Sequence, residues 1–270
     1  MGYPQALFPE LSLPGTVVGR LTPEIQARVD FDCAVVLPAT HDTGSAFMAV
    51  PARDDHSVFL SSGTWSLLGV ENEHPITTAA SMNANFTNEG GYEYRYRYLK
   101  NIMGLWMIQN IRKENQGNYS FQELIDMAET AEFDAVIDVN DDLFLAPASM
   151  TQAVKDYCAG HGLPVPETLG QLLKCVYRSL AVSYRKAITE LEALTGKKYT
   201  AIHIVGGGSQ ADYLNRLTAA ATGLPVYAGP TEGTALGNLM AQMIHQGTFS
   251  SLAQAREAIH RSFPIQEVLP

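Results

Sequence analysis

A carboxylate with polar neighbours stands early in the chain and is the first candidate for chemistry. His41, Asp42 and Thr43 follow a short apolar run, Cys33–Leu37, whose composition predicts a buried strand. The carboxyl ends of strands are where α/β folds place ligand-binding groups, so Asp42 could accept a proton from a substrate hydroxyl. The alternative is structural: Asp42 would be the N-cap of a helix that begins at Ser45.

A turn of small residues is a second candidate. Ser61-Ser62-Gly63-Thr64 connects two predicted strands, Ser57–Ser61 and Trp65–Val70. Small residues let several backbone N–H groups point at one position, and such a turn can bind phosphate oxygens. The alternative is an ordinary hairpin connection without a ligand.

A glycine-rich turn is the third candidate. Gly206-Gly207-Gly208 lies between a predicted buried strand, Ala201–Val205, and a helix predicted over Ala211–Thr222. Glycines allow the backbone to approach a ligand closely, and a helix N-terminus favours negative charge, although a bare connection is the alternative. The pattern is neither Gly-x-Gly-x-x-Gly nor a P-loop, which argues against a dinucleotide-binding oxidoreductase.

A segment rich in tyrosine and amide residues lies between these motifs. Every second residue from Tyr92 to Tyr98 is a tyrosine, which predicts a strand with one aromatic face, for core packing or for stacking on a sugar. The apolar spacing of Leu99–Arg112 predicts a helix. Asn101 and Gln109 would share one face of that helix, where their amides need polar partners.

Alternating strands and helices must position these residues. Further helices are predicted over Phe121–Ala131, over Leu169–Leu194 with Gly196 as its stop, and over Thr234–Gln246. Leu224–Ala228 is a predicted strand. This order indicates an α/β fold with some parallel pairing, in one compact domain with a helical insert at about residues 95–195.

Composition excludes several classes of protein. The chain has 270 residues, of which 46% are hydrophobic, and a net charge of −10, which is typical of an acidic globular protein. The negative charge argues against nucleic acid or an anionic membrane as a partner. We expect neither a transmembrane segment nor a signal peptide, because the chain lacks a long apolar run and Met1–Leu13 lacks a basic start.

The spacing of the cysteines and histidines does not indicate a metal site. Cys33, Cys158 and Cys175 are widely spaced and form no Cys-x-x-Cys pair, which favours the reducing cytoplasm over a zinc protein. The seven histidines show no paired ligand spacing. The residues that would bind a metal stay unknown at this point.

Taken together and in this order, the motifs resemble the FGGY carbohydrate kinases, which belong to the actin-like ATPase superfamily. The resemblance rests on four pieces and runs from about Pro14 to about Phe263: His41-Asp42-Thr43, Leu60–Ser66, Asn88–Gly91 with Leu99–Trp106, and His203–Gln210. The third piece is typical of the branch that acts on rhamnulose. The glycine and Ser-Gly-Thr turns are shared across the superfamily.

The resemblance implies a reaction and a role for each motif. The reaction is transfer of the γ-phosphoryl group of Mg²⁺-bound ATP to the 1-hydroxyl of L-rhamnulose, in L-rhamnose catabolism. By resemblance, Asp42 is the general base, and His41, Asp42, Thr43 and Asn101 bind the sugar. The implied ATP-binding residues are Thr64, Gln109, Gly206, Gly207 and Gly208.

The resemblance covers only one half of such a kinase. Residues 1–270 match a C-terminal, ribonuclease H-like domain, in which helices flank a mixed sheet. The N-terminal domain, which binds most of the sugar and supplies the first phosphate-binding turn, is the expected partner. We therefore expect the isolated chain to be inactive or weak. Alternatives are a kinase for fuculose or xylulose, or a nucleotide-binding module without catalysis.

Overall fold

The computed structural model describes residues 2–39 and 41–270. Its strands are β1 (Val17–Arg20), β2 (Ala34–Val36), β3 (Ser57–Ser62), β4 (Trp65–Asn72), β5 (Thr87–Gly90), β6 (Tyr96–Met103), β7 (Ala201–Val205), β8 (Val226–Ala228) and β9 (Gln266–Val268). Its α-helices are α1 (Pro23–Val29), α2 (Asp42–Met48), α3 (Ala79–Asn83), α4 (Trp106–Glu114), α5 (Phe121–Thr130), α6 (Met150–Gly160), α7 (Leu169–Thr195), α8 (Asp212–Thr222), α9 (Gly233–His245) and α10 (Leu252–Ser262). No helix in the described ranges is both long and apolar enough to cross a membrane.

Seven strands form one mixed sheet in the order β5-β6-β4-β3-β7-β8-β9. β3, β7 and β8 are parallel neighbours, and the other pairs are antiparallel. β7 is buried along its whole length, as expected for an apolar central strand. This mixed sheet flanked by helices confirms the predicted α/β architecture, and β1 and β2 form a separate two-stranded ribbon.

Different helices cover the two faces of the sheet. Side chains alternate along a strand, so Val58 and Leu60 of β3 join the large core that contains α7. Phe59, which lies between them, packs instead against Phe47 of α2, with ring centroids 5.4 Å apart. α7 also packs against α5 and α8, whereas α2 packs against α9.

The predicted helix Leu99–Arg112 is wrong in its first part. Residues Tyr96–Met103 form β6 and pair with β4 on one edge and β5 on the other, so sheet pairing outweighs the local helical spacing. The helix α4 begins only at Trp106. The helical region between β6 and β7 consequently spans residues 106–195, and the expected start near residue 95 falls next to β6.

Three other local predictions differ from the structure. The alternating tyrosines do not form one strand, because Tyr92–Tyr94 is a 3-10 turn in which Glu93 has a φ of 55°. The segment Cys33–Leu37 does contain β2, but its first two strand residues are exposed, since β2 pairs only with β1. The helix expected from Ser45 begins earlier, at Asp42.

The helices with clear local signals lie where the sequence places them. α7 begins with a capping box between Thr168 and Gln171 and ends at Gly196, which has a φ of 69°. α5, α8 and α9 also match their predicted ranges within a few residues. No element was predicted for α1, α3, α6, α10, β5 or β9, of which α1, α3, β5 and β9 are short.

Candidate active site

A cavity of about 900 Å³ opens beside the carboxyl ends of β3 and β7. In open α/β sheets this edge is where ligands bind. The first turn of α2, strands β4, β5 and β6, the segment 140–145 and the start of α9 contribute further lining residues. The lining residues are His41, Asp42, Thr43, Ser61, Ser62, Gly63, Thr64, Trp65, Leu67, Asn85, Glu89, Asn101, Met103, Asn140, Asp142, Leu145, Gly206, Gly207, Thr231, Glu232 and Thr234.

Asp42 is the first residue of α2, and its carboxylate is largely exposed to this cavity, with 74% of the side chain accessible. Its Oδ1 accepts hydrogen bonds from Thr43 N at 2.6 Å and from Thr43 Oγ1 at 3.3 Å. The N-cap is His41, whose side chain caps nothing, so the structural alternative for Asp42 is wrong. A carboxylate at a helix N-terminus is stabilised by the helix dipole.

Close backbone contact with α9 positions the helix that carries Asp42. A Cβ at Gly237 would lie 1.7 Å from Ser45 O, so a side chain at this position would force the helices apart. Thr234 Oγ1 donates to Asp42 O at 3.2 Å. α2 is buried from Thr43 to Met48, which leaves Asp42 as its exposed end.

A buried cation lies beneath this end of α2. The Arg97 side chain is only 3% exposed and forms an ion pair with Glu89 at 3.1 Å, directly opposite on β5. It also donates to Gly90 O at 3.1 Å and approaches His41 Nδ1 at 3.4 Å. Burial lowers the pKa of Arg97, and the negative charges of Glu89 and Asp42 oppose that shift.

The Ser-Gly-Thr turn is a tight hairpin that is bonded to the start of α4. Leu105 N donates to Gly63 O at 3.0 Å, and Trp106 N donates to Thr64 O at 3.1 Å. A Cβ at Gly104 would lie 2.6 Å from Thr64 O, so this glycine permits the contact. Two motifs that are forty residues apart in sequence therefore meet in space, and the Thr64 side chain stays exposed at the cavity.

The three glycines after β7 have two different roles. Gly206 has a φ of 87° and a Cβ there would lie 2.8 Å from Ser62 O, while a Cβ at Gly208 would lie 1.9 Å from Ser62 Oγ. These two glycines allow the turn to pack on β3. A Cβ at Gly207 would meet nothing within 4 Å, so Gly207 presents its backbone to open space.

Most of the predicted site residues come together. The cavity lining contains His41, Asp42, Thr43, Thr64, Asn101, Gly206 and Gly207. These residues come from α2, the β3–β4 hairpin, β6 and the turn after β7. The sheet edge brings together residues as far apart in sequence as His41 and Gly207, which are 166 positions apart.

Two predicted residues lie outside the cavity lining. Gln109 is exposed on α4, and since Asn101 is on β6, the two amides do not share a helix face. Gly208 is buried against Ser62. The error over the shared face follows from the strand that was predicted as a helix, because that argument depended on helical periodicity. The ATP-binding role that the resemblance implies for Gln109 stays a prediction.

Several polar lining residues were not predicted from the sequence. Glu89, Asn140, Asp142 and Glu232 all border the cavity. Asn140 has a structural role as well, since its Oδ1 accepts from Met103 N at 3.1 Å. Glu89 was visible only as part of the Asn88–Gly91 piece. Nothing local in the other three segments indicates a site.

The described part of the chain, residues 2–39 and 41–270, holds no group of three or more histidine, cysteine, aspartate or glutamate residues arranged to bind a metal ion. The cavity lining within these ranges also contains no lysine or arginine. Its charged groups are carboxylates. A polyanionic ligand would therefore need a positive charge from another source.

Comparison with known proteins places these features in a family. Residues 58–245 match the FGGY family of carbohydrate kinases, C-terminal domain. A rhamnulokinase of Halalkalibacterium halodurans is 46% identical over 266 residues, which cover 98% of this chain and 57% of that protein. A rhamnulokinase of Bacillus subtilis is 43% identical, covering 97% and 55%. The chain thus spans about half the length of the curated relatives it matches.

Solved structures agree on the fold. A ligand-bound xylulose kinase from Lactobacillus acidophilus superposes with a TM-score of 0.69 at 15% identity, over 97% of this chain and 53% of that one. A Plasmodium falciparum glycerol kinase with ADP gives a TM-score of 0.63 at 13% identity, over 84% and 46%. At such identities the likeness concerns the fold alone. With the match over residues 58–245, the chain belongs to the FGGY family of carbohydrate kinases and contains its C-terminal domain.

Proposed function

We propose that this chain is the C-terminal half of an ATP-dependent kinase that phosphorylates the 1-hydroxyl of L-rhamnulose. The observation that carries the proposal is the shared cavity, in which the Asp42 carboxylate and the backbone of Gly207 line one space. A sugar kinase needs a proton acceptor near the sugar and donors near the phosphates. The names of relatives that are 40–46% identical support rhamnulose as the sugar.

Asp42 is the general base of the proposed reaction. As the 1-hydroxyl oxygen attacks the γ-phosphorus, its proton passes to the Asp42 carboxylate, and the bond between the γ-phosphorus and the leaving ADP oxygen breaks. His41, Thr43 and Asn101 line the same cavity and bind the sugar. Thr43 contributes a second function, because its N–H and hydroxyl hold Asp42 Oδ1.

The nucleotide occupies the side of the cavity formed by the two turns. Gly207 has open space beside it and Thr64 is exposed, so both can approach phosphate oxygens. Mg²⁺ that arrives with ATP offsets phosphate charge and is held mainly by phosphates and water. That fits a lining whose described residues include carboxylates but no lysine or arginine.

The rest of the proposed kinase completes the site. This chain spans 57% of the Halalkalibacterium halodurans relative, so we expect the remaining N-terminal part to supply further sugar and phosphate contacts. The isolated chain would then bind nucleotide but phosphorylate sugar weakly or not at all. A cytoplasmic location fits its three cysteines, Cys33, Cys158 and Cys175, which are all free.

Calorimetric titration of the chain with Mg·ADP tests the nucleotide site. We expect one binding site, which Gly207→Val weakens because the added side chain occupies the cavity rather than the protein core. Gly160→Val is the matched control, since a Cβ there also meets nothing within 4 Å and the residue does not line the cavity. Equal binding by both variants would place the nucleotide elsewhere.

Sugar phosphorylation requires the complete kinase. The chain can be fused behind the N-terminal half of the Halalkalibacterium halodurans relative and assayed for ADP release with L-rhamnulose, L-fuculose and D-xylulose. We expect the highest kcat/KM with L-rhamnulose. A higher kcat/KM with another ketose would show that the proposed substrate is wrong. A folded fusion that binds ADP but phosphorylates none of the three sugars would favour a nucleotide-binding module without catalysis.

A further inference from the structure

The guanidinium of Arg97 connects two residues that line the cavity, although Arg97 itself does not line it. One terminal nitrogen lies 3.4 Å from His41 Nδ1, and the other lies 3.1 Å from Glu89 Oε2. The first turn of α2 packs directly on this group, since a Cβ at Gly44 would lie 3.2 Å from Arg97 Cζ. Because the side chain is 3% exposed, its place is set by packing.

The contact with Arg97 restricts the proton on His41. Arginine stays protonated in proteins and its N–H groups can only donate, so a hydrogen bond at 3.4 Å requires a lone pair on His41 Nδ1. The ring proton must then be on Nε2. A protonated Nδ1 would place an N–H group of His41 against an N–H group of the buried Arg97 guanidinium.

Asp42 offers the competing arrangement. Its Oδ1 lies 3.3 Å from His41 Nδ1 and could accept a proton held there. However, Oδ1 already accepts two hydrogen bonds from Thr43, whereas the buried Arg97 nitrogen would lose a partner if Nδ1 carried a proton. Leaving a buried charged donor unpaired costs more than withholding a third donor from an exposed carboxylate.

Glu89 is fixed by the same cation. Its Oε2 is paired with Arg97, and its Oε1 accepts from Thr87 Oγ1 at 3.4 Å. The side chain is 30% exposed and borders the cavity. An ionised carboxylate has about four acceptor positions, so Glu89 can still accept a hydroxyl proton from a ligand.

We propose that Arg97 is a positioning residue that gives the cavity one fixed donor, His41 Nε2–H, and one fixed acceptor, the Glu89 carboxylate, for two hydroxyl groups of the ligand. The His41 ring is about half exposed, and its Nδ1 faces buried Arg97, so Nε2 is on the accessible side. The identity of the hydroxyl ligand rests on the proposed function. The tautomer of His41 does not depend on it.

Long-range ¹H–¹⁵N correlation spectra of the chain test the tautomer directly. With the His41 signals assigned by their loss in His41→Gln, we expect the proton on Nε2 and a lone pair on Nδ1. Arg97→Lys removes the planar donor while keeping the charge, and should shift His41 toward a mixture of tautomers. The matched control Arg95→Lys, two residues away on the same segment, should leave the His41 spectrum unchanged.

Two outcomes of the spectra would overturn the proposal. One is a proton on Nδ1 in the unmodified chain, a result that needs no variant to fold. The other is an unchanged His41 tautomer in a folded Arg97→Lys protein. Neither result bears on whether the protein phosphorylates rhamnulose, so failure here is distinct from failure of the proposed function.

Kinetics on the fused kinase test the acceptor. Glu89→Gln keeps the size of the side chain but removes its charge, and should raise the KM for L-rhamnulose about tenfold or more while the KM for ATP stays within about twofold. A merely structural role would change protein yield or both constants together. An unchanged sugar KM in active Glu89→Gln enzyme would remove Glu89 from the proposal.

Discussion

The helices α7 and α2 lie on opposite faces of one sheet and are held in different ways. α7 has 27 residues, a capping box, a glycine stop and a continuous apolar face. α2 has seven residues, no side-chain cap and a close backbone contact with Gly237 of α9. The long helix contributes the larger core, and the short one carries Asp42, the proposed general base, at the cavity.

This difference between α7 and α2 suggests that stability and activity depend on different faces of the sheet. A helix as short as α2 is not stable in isolation, so its surroundings determine where it begins and where Asp42 points. Changes in α7 should therefore alter the free energy of unfolding and leave the cavity intact. Changes at or beneath the start of α2 should alter activity out of proportion to stability.

The largest expected effect is on catalysis. Asp42→Asn keeps the size of the side chain but removes the proton acceptor, so kcat of the fused kinase should fall about 10²–10⁴-fold. The midpoint of thermal unfolding and the affinity for Mg·ADP should stay close to those of the unmodified protein. Asp156→Asn, on the exposed side of α6, is the control and should retain full activity.

Removing apolar volume from α7 should lower stability and leave nucleotide binding unchanged, the reverse of the result expected for Asp42→Asn. Leu173 is fully buried in the large core, and Leu173→Ala should lower the free energy of unfolding by about 2–5 kcal/mol. Denaturant unfolding measures this, and calorimetry on the folded variant should give an unchanged affinity for Mg·ADP. A weaker ADP affinity would mean that the α7 face and the cavity are coupled.

The same contrast explains what the sequence could predict. α7 was predictable because its cap, its apolar period and Gly196 are local signals. The meeting of Asp42, Thr64 and Gly207 at one cavity was predictable because their motifs resemble those of a known family, and their roles in binding and catalysis stay predictions.

The errors arose where distant segments decide the structure. Leu99–Met103 has helical spacing but is held in strand β6 by its pairing with β4, and β5 pairs on the other edge as far as Leu99. Arg97 alternates with the tyrosines in the sequence and is itself buried. Its partners, Glu89 and His41, are set by strand register and by the packing of α2, which a single sequence does not encode locally.

The contact between α2 and α9 gives a third test. Gly237→Ala adds a methyl group where a Cβ would lie 1.7 Å from Ser45 O, so the two helices must separate. We expect a loss of about 1–3 kcal/mol in unfolding free energy, together with lower kcat in the fused kinase. Gly160→Ala, at the open end of α6, should be neutral or slightly stabilising.

We expect acid to reduce the stability contributed by the α2 face of the sheet at a higher pH than that contributed by the α7 face. Burial lowers the pKa of His203 on β7 to about 4, from 6.5, with Asp54 opposing the shift and Arg256 and His260 adding to it. His203 packs against Phe59 on the α2 side of the sheet. On the other face the buried titratable groups Tyr177 and Tyr184 are phenols, which are neutral in acid even at their ordinary pKa of 10, and burial raises that pKa further, to about 12.

The sign of the pH effect follows from this shift. In the unfolded chain His203 is protonated below about pH 6.5, whereas in the folded chain it stays neutral down to about pH 4. The free energy of unfolding therefore falls as the pH is lowered from 6.5 to 4. Between pH 7 and pH 5 the loss from this group should be about 2 kcal/mol. His203→Gln should reduce the measured pH dependence by that amount, and an unchanged dependence would assign the effect to other groups.

The smallest expected effect concerns the start of α7. Thr168→Ala removes the side-chain oxygen that accepts from Gln171 N, and should lower the free energy of unfolding by about 1 kcal/mol. Thr168→Ser retains that oxygen and should restore most of the loss in urea titrations. Because neither Thr168 nor any residue of α7 lines the cavity, affinity for Mg·ADP should be equal in both variants. The substitution alters one hydrogen bond at the start of a helix that does not line the cavity. A change in ADP affinity in Thr168→Ala would therefore contradict the view that the α7 face affects stability alone.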